Sequence, residues 1–382
     1  LLNIRGSDNP NSPIPNCRLI IGKNKKLFLI TKKEKATKIL KNSKINKLQI
    51  INPENFFDLI KKLKGNKFII DPLSCSILNE SLIKSKFRII NKDDPCYKLK
   101  SIKNSTEIKH MINAHIEDGV ALTKFIFWIK NVNKKKITEI DAKNKLAKFR
   151  KLNKNYLFPS FTTIAGTGSN GAIVHYRVNK KSNKTIKKNH LFLCDSGGQY
   201  KYGTTDVTRT VCFSKQSNSI KNIFTKVLKG HIAVATTNLN KFNNGKQVDK
   251  RARQFLKKDG LDYEHGTGHG VGFFLNVHEG PQSITKFNTI KLQEGMILSN
   301  EPGFYKKNHY GIRIENLIYI KKNNKKLHFE NLTLAPIERD LINYNLLNKI
   351  EKDYLFKYNL SVYSTLSKFL NRKERQWLAS LI

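Results

Sequence analysis

Apolar residues recur at helical spacing in a few long stretches and alternate at two-residue spacing in many short ones. Residues 53–64 carry a stripe of Phe56, Phe57, Leu59, Ile60 and Leu63, with Asn52 placed as N-cap, Pro53 at the first helical position and Gly65 as a stop. Asn104-Ser-Thr-Glu107 reads as a capping box. It opens a long helix whose apolar positions run through Ile108, Met111, Ile112, His115, Val120, Leu122, Phe125 and Ile129. Another helix is expected from Thr138, with Asp141 three residues on, and a third over 219–239. Short β-like runs at 18–22, 27–31 and 67–70 alternate with helical ones, which predicts a small α/β domain ending near Asp93-Asp94-Pro95. Beyond that joint, strand-like segments fall at 172–178, 190–195, 204–213, 270–277, 296–300 and 312–320. Helices flanking an antiparallel sheet, an α+β architecture, fit this order better than a regular βαβ alternation.

Composition narrows the picture. With 382 residues, two domains are the natural expectation, and 39% hydrophobic residues with 22 Phe and 13 Tyr suffice for a packed core. Lys and Arg number 71 against 29 Asp and Glu, a formal net charge of +42. A nucleic-acid partner is nonetheless not expected. The charge is mostly Lys and spread along the chain, and runs at 134–136, 321–322 and 325–326 fall at expected turns with no aromatic interleaving to stack bases. The five cysteines, Cys17, Cys75, Cys96, Cys194 and Cys212, follow neither a disulfide framework nor a zinc knuckle. A reducing compartment, the cytoplasm, is the expected home. Lys or Asn interrupts every apolar run before the roughly 20 residues a membrane-spanning helix needs. The opening Leu-Leu-Asn-Ile-Arg-Gly has neither an initiator Met nor a signal-peptide pattern, so residue 1 reads as a cut inside a longer chain.

The candidate chemistry lies between residues 160 and 320. An apolar strand ends on Asp195, and Asp206 follows in Gly-Thr-Thr-Asp-Val-Thr-Arg-Thr. Two facing strands would bring these carboxylates together, and two buried anions at close range need a cation between them. His265-Gly-Thr-Gly-His269-Gly-Val-Gly places two imidazoles where there is little side-chain bulk, and His278-Glu-Gly-Pro follows. A further apolar strand ends on Glu301, while two-residue alternation in Gly-Ile-Arg313-Ile-Glu315 sets Arg313 and Glu315 on one face. Four carboxylates and an imidazole suit two divalent ions such as Mn²⁺, Co²⁺ or Zn²⁺. Taken singly, each Asp is more readily a turn or cap residue and each His a structural one.

Taken together, these words resemble the pita-bread metallopeptidases of family M24, and within them aminopeptidase P (Xaa-Pro aminopeptidase), in its long cytosolic-type branch. Asp-Ser-Gly-Gly-Gln-Tyr-Lys-Tyr-Gly-Thr-Thr-Asp, His-Gly-Thr-Gly-His-Gly-Val-Gly, Val-His-Glu-Gly-Pro, Glu-Pro-Gly-Phe-Tyr and Gly-Ile-Arg-Ile-Glu-Asn carry the resemblance. Leu-Asn-Ile-Arg-Gly-Ser-Asp near the start, Ile102-Lys-Asn-Ser and Asn170-Gly-Ala-Ile-Val-His175-Tyr extend it over nearly the whole chain. The resemblance implies a creatinase-like α/β domain over 1–96, shortened at its start, a pita-bread catalytic domain over 97–320 and a C-terminal extension over 321–382. It implies Asp195 on one metal, His269 and Glu301 on the other, and Asp206 and Glu315 on both. Mn²⁺ is the expected ion, with Zn²⁺ or Co²⁺ as alternatives. A hydroxide held between the ions would attack the bond linking an N-terminal residue to proline, so peptides with N-terminal Xaa-Pro are the expected partners. His278 would handle the proton near the leaving group, His175 would contact the substrate carbonyl and His265 would line the cleft around the proline. Arg313 and Tyr305 would support the metal site from behind. The branch also allows a homodimer. Its first domain and part of its second, which precede Asn-Ile-Arg-Gly, are absent from this sequence, which bears on oligomer geometry and the outer cleft wall. A prolidase restricted to Xaa-Pro dipeptides would use the same five ligands. A non-catalytic pita-bread protein binding RNA or a protein partner is disfavoured, because all five ligand positions are filled.

Overall fold

The computed structural model describes residues 2–36, 48–132 and 137–382. The lysine run at 134–136 lies outside the described residues. The chain divides into two compact units, Leu1–Leu99 and Lys100–Ile382.

The first unit is α/β. Strands β1 (Arg18–Ile21) and β2 (Leu27–Ile30) pair antiparallel, and β3 (Leu48–Ile51) joins β2 in parallel. Strands β4 (Lys67–Ile70) and β5 (Arg88–Asn91) form a separate parallel pair, linked by helix α2 (Ile77–Lys84). The helix expected over 53–64 begins as a 3₁₀ turn, Pro53–Asn55, and becomes α-helical only as α1 (Phe56–Lys62). Asn52 does not cap it: its side-chain oxygen instead accepts from the Lys33 amide at 3.0 Å, tying the helix entry to the residues after β2. Phe56, Leu59 and Ile60 are buried, but Phe57 points outward. Gly65 follows with φ +131°, a conformation open to glycine alone at little cost.

Helix α3 (Pro95–Ser101) runs across the division between the units, and the second unit continues with α4 (Ser105–Asn131), which begins at the expected capping box of Asn104 and Glu107. Helix α5 (Glu139–Lys151) begins at the matching box of Thr138 and Asp141. Behind them a buried ion pair, Arg150 Nε to Asp118 Oδ1 at 2.7 Å, locks α5 to α4. The sheets are antiparallel. Strands β6 (Tyr156–Pro159), β9 (Gly198–Tyr200) and β10 (Gly203–Thr204) form one. A second is β7 (Ile164–Thr167), β8 (Phe192–Ser196) and β11 (Val207–Val211), with β8 in the middle. Short pairs follow, β12 (Gly268–His269) with β13 (Ser283–Ile284) and β15 (Gly303–Lys306) with β16 (Tyr310–Arg313). The third sheet is β14 (Ile297–Asn300), β17 (Asn316–Asn323) and β18 (Lys326–Asn331). Helices α6 (Asn218–Ala235), α7 (Gly245–Lys257), α8 (Lys349–Leu366) and α9 (Arg372–Ala379) pack around them. Ile312 and Ile314, facing away from the donors on Arg313 and Glu315, enter a core shared with Leu355, Val362 and Leu366 of α8. Among the described residues no helix is long and apolar enough to cross a membrane. This is the expected α+β class.

Four expected strands differ, the first being 204–213, which breaks at Thr205 and Asp206 between β10 and β11. Residues 172–178 form a loop rather than a strand, because buried Glu139 gathers the whole segment: its carboxylate accepts from the amides of Thr167 and Lys184, the Asn170 side chain and the Tyr176 hydroxyl. Residues 270–277 also form a loop, closed by Gly272 N–H to Asn276 O and turned by Phe274 at φ +47°. The run 312–320 breaks after Arg313, so Ile314 and Glu315 lie between β16 and β17.

Candidate metal centre

Strand register sets the first two carboxylates side by side. On β8 and β11, Asp195 pairs with Thr208, two residues past Asp206, so the end of β8 and the start of β11 converge. Glu301 follows β14 and Glu315 precedes β17, and Asn300 opposes Asn316 across that pair, which brings both carboxylates to one end of the sheet. His269 ends β12 between two glycines that cannot be replaced cheaply. A Cβ on Gly268 would strike the carbonyl of Ser299, and one on Gly270 would strike that of Glu279.

These side chains line a cleft of about 390 Å³ with His175, His265, His278 and Arg313. Potential ligand atoms of Asp195, Asp206 and Glu315 lie within 4.8 Å of one another, as do those of His269, Glu301 and Glu315, and those of Asp206, His269 and His278. His269 Nε2 is 3.4 Å from both Asp206 Oδ2 and Glu301 Oε1. Its Nδ1–H donates to the Gly270 carbonyl at 3.0 Å, which leaves the Nε2 lone pair directed at the carboxylates. Burial, with Asp195 and Glu301 nearby, drives the Asp206 carboxyl well above its usual range; burial and Asp206 do the same to Glu315, and burial raises Glu301. Asp195 Oδ1 is buried and meets no hydrogen-bond donor. A cluster of buried carboxylates that repel one another, with an orphaned oxygen among them, fits divalent cations. The donor set, oxygen-rich with one imidazole, is the kind that holds Mn²⁺, Zn²⁺ or Co²⁺.

A model of metallopeptidase family M24 matches residues 109–322. The chain belongs to that family. Flanking this M24 region, a creatinase/prolidase N-terminal domain matches residues 1–107 and the C-terminal region of peptidase M24 matches 325–381. Aminopeptidase P2 of Arabidopsis thaliana is 36% identical over 99% of this chain and 59% of its own length. Xaa-Pro aminopeptidase 1 of Dictyostelium discoideum is 37% identical over 100% of this chain and 64% of its own. The crystal structure of X-prolyl aminopeptidase from Caenorhabditis elegans, a cytosolic enzyme with a di-nuclear active site, superposes with a TM-score of 0.88 at 32% identity, covering 100% of this chain and 65% of that one. The M24 chain thus spans about three-fifths to two-thirds of the length of these relatives.

The remaining expected residues fall around the cluster. Arg313 is buried; Nη2 donates to Asp195 Oδ2 at 2.6 Å and Nη1 to the Tyr305 hydroxyl at 2.6 Å. Tyr305 in turn donates to His265 Nε2 at 2.8 Å, and His265 Nδ1–H donates to the Gly266 carbonyl at 2.7 Å. Burial and Arg313 hold His265 neutral, its imidazole pushed down to about 3, and both ring nitrogens are engaged. Burial pushes the Tyr305 phenol up to about 12. His278 stacks edge-on against His269 at 4.0 Å between ring centroids, and desolvation in the cleft, with His269 beside it, brings its imidazole down to about 4. His175 is exposed on the loop that Glu139 gathers.

Two supports escape motif reading. Thr208 Oγ1 donates to Glu315 Oε2 at 2.7 Å and accepts from Arg313 Nε at 3.1 Å. Ser299 Oγ donates to Glu301 Oε1 at 2.9 Å and accepts from the His269 amide at 2.8 Å. Each stands two residues from a candidate donor, Asp206 or Glu301, so strand alternation was the signal that could have found them.

Proposed function

We propose that this chain forms the catalytic part of a metal-dependent aminopeptidase that hydrolyses the bond between an N-terminal residue and a following proline. The observation that carries this reading is the convergence of Asp195, Asp206, His269, Glu301 and Glu315 on one cleft that also holds His175 and His278. Kinship with Xaa-Pro aminopeptidases supports the substrate class.

In this reading Asp195 would hold one ion, His269 and Glu301 the other, and Asp206 and Glu315 would be shared between them. Mn²⁺ is the proposed native ion. Two bound cations would acidify water and stabilise negative charge developing on the peptide carbonyl. Ser299 and Thr208 hold Glu301 and Glu315 in place by donating to them. Arg313 fixes Asp195 and carries positive charge that offsets the anionic cluster. His278, kept neutral, is able to take up a proton and release it to the amine that leaves. His175, exposed at the rim, meets the substrate carbonyl. We further place the catalytic domain at 97–320, between an α/β domain over 1–96 and a C-terminal extension over 321–382, and the protein in the cytoplasm as a homodimer.

The test is hydrolysis of Arg-Pro-Pro and of an Arg-Ala-Ala control after chelation and again with Mn²⁺ restored. Metal-rescued cleavage confined to the Xaa-Pro bond is expected. Cleavage of Arg-Pro but not of Arg-Pro-Pro would assign a prolidase instead.

A further inference from the structure

Two stretches stand outside the chemistry so far: Lys103, at the entry to α4, and Glu279, the residue after His278. They meet in the interior. The Lys103 side chain is wholly buried, and its Nζ lies 3.5 Å from Glu279 Oε1. Lys100 Nζ approaches the other oxygen of Glu279, Oε2, at 3.3 Å. The main chain of Lys103 is itself anchored, its N–H donating to the Gly295 carbonyl at 2.9 Å. On the other side, the Glu279 N–H donates to the carbonyl of Gly270, the neighbour of His269, at 2.8 Å, and the Gly270 N–H donates to Gln282 O at 3.0 Å. The carboxylate also packs against Gly272 so closely that a Cβ there would lie 2.7 Å from Oε2. Glu279 therefore ties the His278 loop to the His269 strand, and Lys103 is the buried charge that holds Glu279.

Holding a loop does not by itself require charge. A buried ion pair returns little stability for its desolvation, and apolar residues of the same volume do as well or better. What a fixed ammonium adds is direction, because a carboxylate pinned by charge on both oxygens has one orientation. We propose that Lys103 is a positioning residue: through the Glu279 carboxylate it fixes the backbone that presents the His278 imidazole beside His269. The inference rests on the peptidase reading for its kinetic arm and on geometry alone for its spectroscopic arm.

The test compares Lys103→Met and Lys103→Arg in the Mn²⁺-loaded full chain, each alone and combined with His278→Ala. Lys103→Met is expected to lower kcat on Arg-Pro-Pro roughly 10- to 100-fold with KM and bound metal unchanged. Lys103→Arg, which keeps the charge, retains most of kcat. In the His278→Ala background Lys103→Met causes no further loss; equal losses in both backgrounds would overturn the proposal. With ring-labelled histidines in the chelated protein, free of paramagnetic Mn²⁺, the His278 resonance, assigned by its disappearance in His278→Ala, moves in Lys103→Met while that of His328 on β18 stays. Should the wild type cleave nothing, a displaced His278 signal still supports the positioning role while the peptidase reading falls. An undisplaced signal overturns the proposal whatever the activity. Should Lys103→Met fail to fold, Lys103→Met/Glu279→Gln removes the uncompensated charge; near-normal kcat in that pair would also overturn it.

Discussion

Asp206 belongs to two of the donor groups in the cleft, one with Asp195 and Glu315 and one with His269 and His278. No other carboxylate reaches both His278 and Asp195 in this way among the described residues. Asp206→Ala is therefore expected to abolish peptide hydrolysis and to lower bound metal, read by elemental analysis after dialysis. Near-normal turnover would mean that Asp206 is not a ligand. Thr208→Val is a gentler probe, since it keeps the shape while removing the hydroxyl that donates to Glu315. Metal affinity should fall about 10- to 100-fold, as when other supports behind a metal ligand are lost; unchanged affinity would show that Glu315 is held by its backbone alone. The donors were legible because Asp, Glu and His are uncommon at the ends of apolar strands. Thr208 and Ser299 were not, because hydroxyl residues are ordinary in strands and only a neighbouring carboxylate gives them meaning.

Helix starts were the most legible elements, since the capping boxes at Asn104 and Thr138 are local and form as read. Strand extents over 172–178 and 270–277 were not legible, because what decides them is distant. The first is held by Glu139, more than 30 residues upstream of most of its partners, and the second by turns around Phe274 and the bond to Gly270. Thr138 and Glu139 separate local from long-range support on one helix. Thr138→Ala should cost about 1 kcal/mol, the usual worth of a cap, with kcat intact. Glu139→Ala strands several buried donors and should cost roughly 3 kcal/mol. It should also lower kcat, because the loop bearing His175 loses its anchor. Urea unfolding and steady-state rates on both variants check this; equal losses would mean that the loop is held by other contacts.

The positive excess of the chain gives way to negative charge in the cleft, and this makes stability depend on pH and metal together. Without metal, Asp206, Glu301 and Glu315 have raised carboxyl pKa values, so the folded state keeps protons that the unfolded state releases. Their contribution is full below the usual carboxylate range, about 4, and is lost as pH rises through the raised values. His231 acts in the opposite direction. Burial pushes its imidazole down to about 3, so the unfolded chain takes a proton near about 6.5 that the folded one refuses, and stability falls with pH below that point. Divalent cations bind the ionised cluster of the folded state, so they restore what deprotonation removes and compete with protons for the same oxygens. The rise in thermal midpoint on adding Mn²⁺ to chelated protein should therefore be larger at about pH 7.5 than at about pH 5.5. His231 contributes alike with and without metal and cancels from the difference. Asp206→Ala should flatten the pH dependence of that rise. An equal rise at both pH values in the unmodified protein would place the stabilising cations outside the cluster.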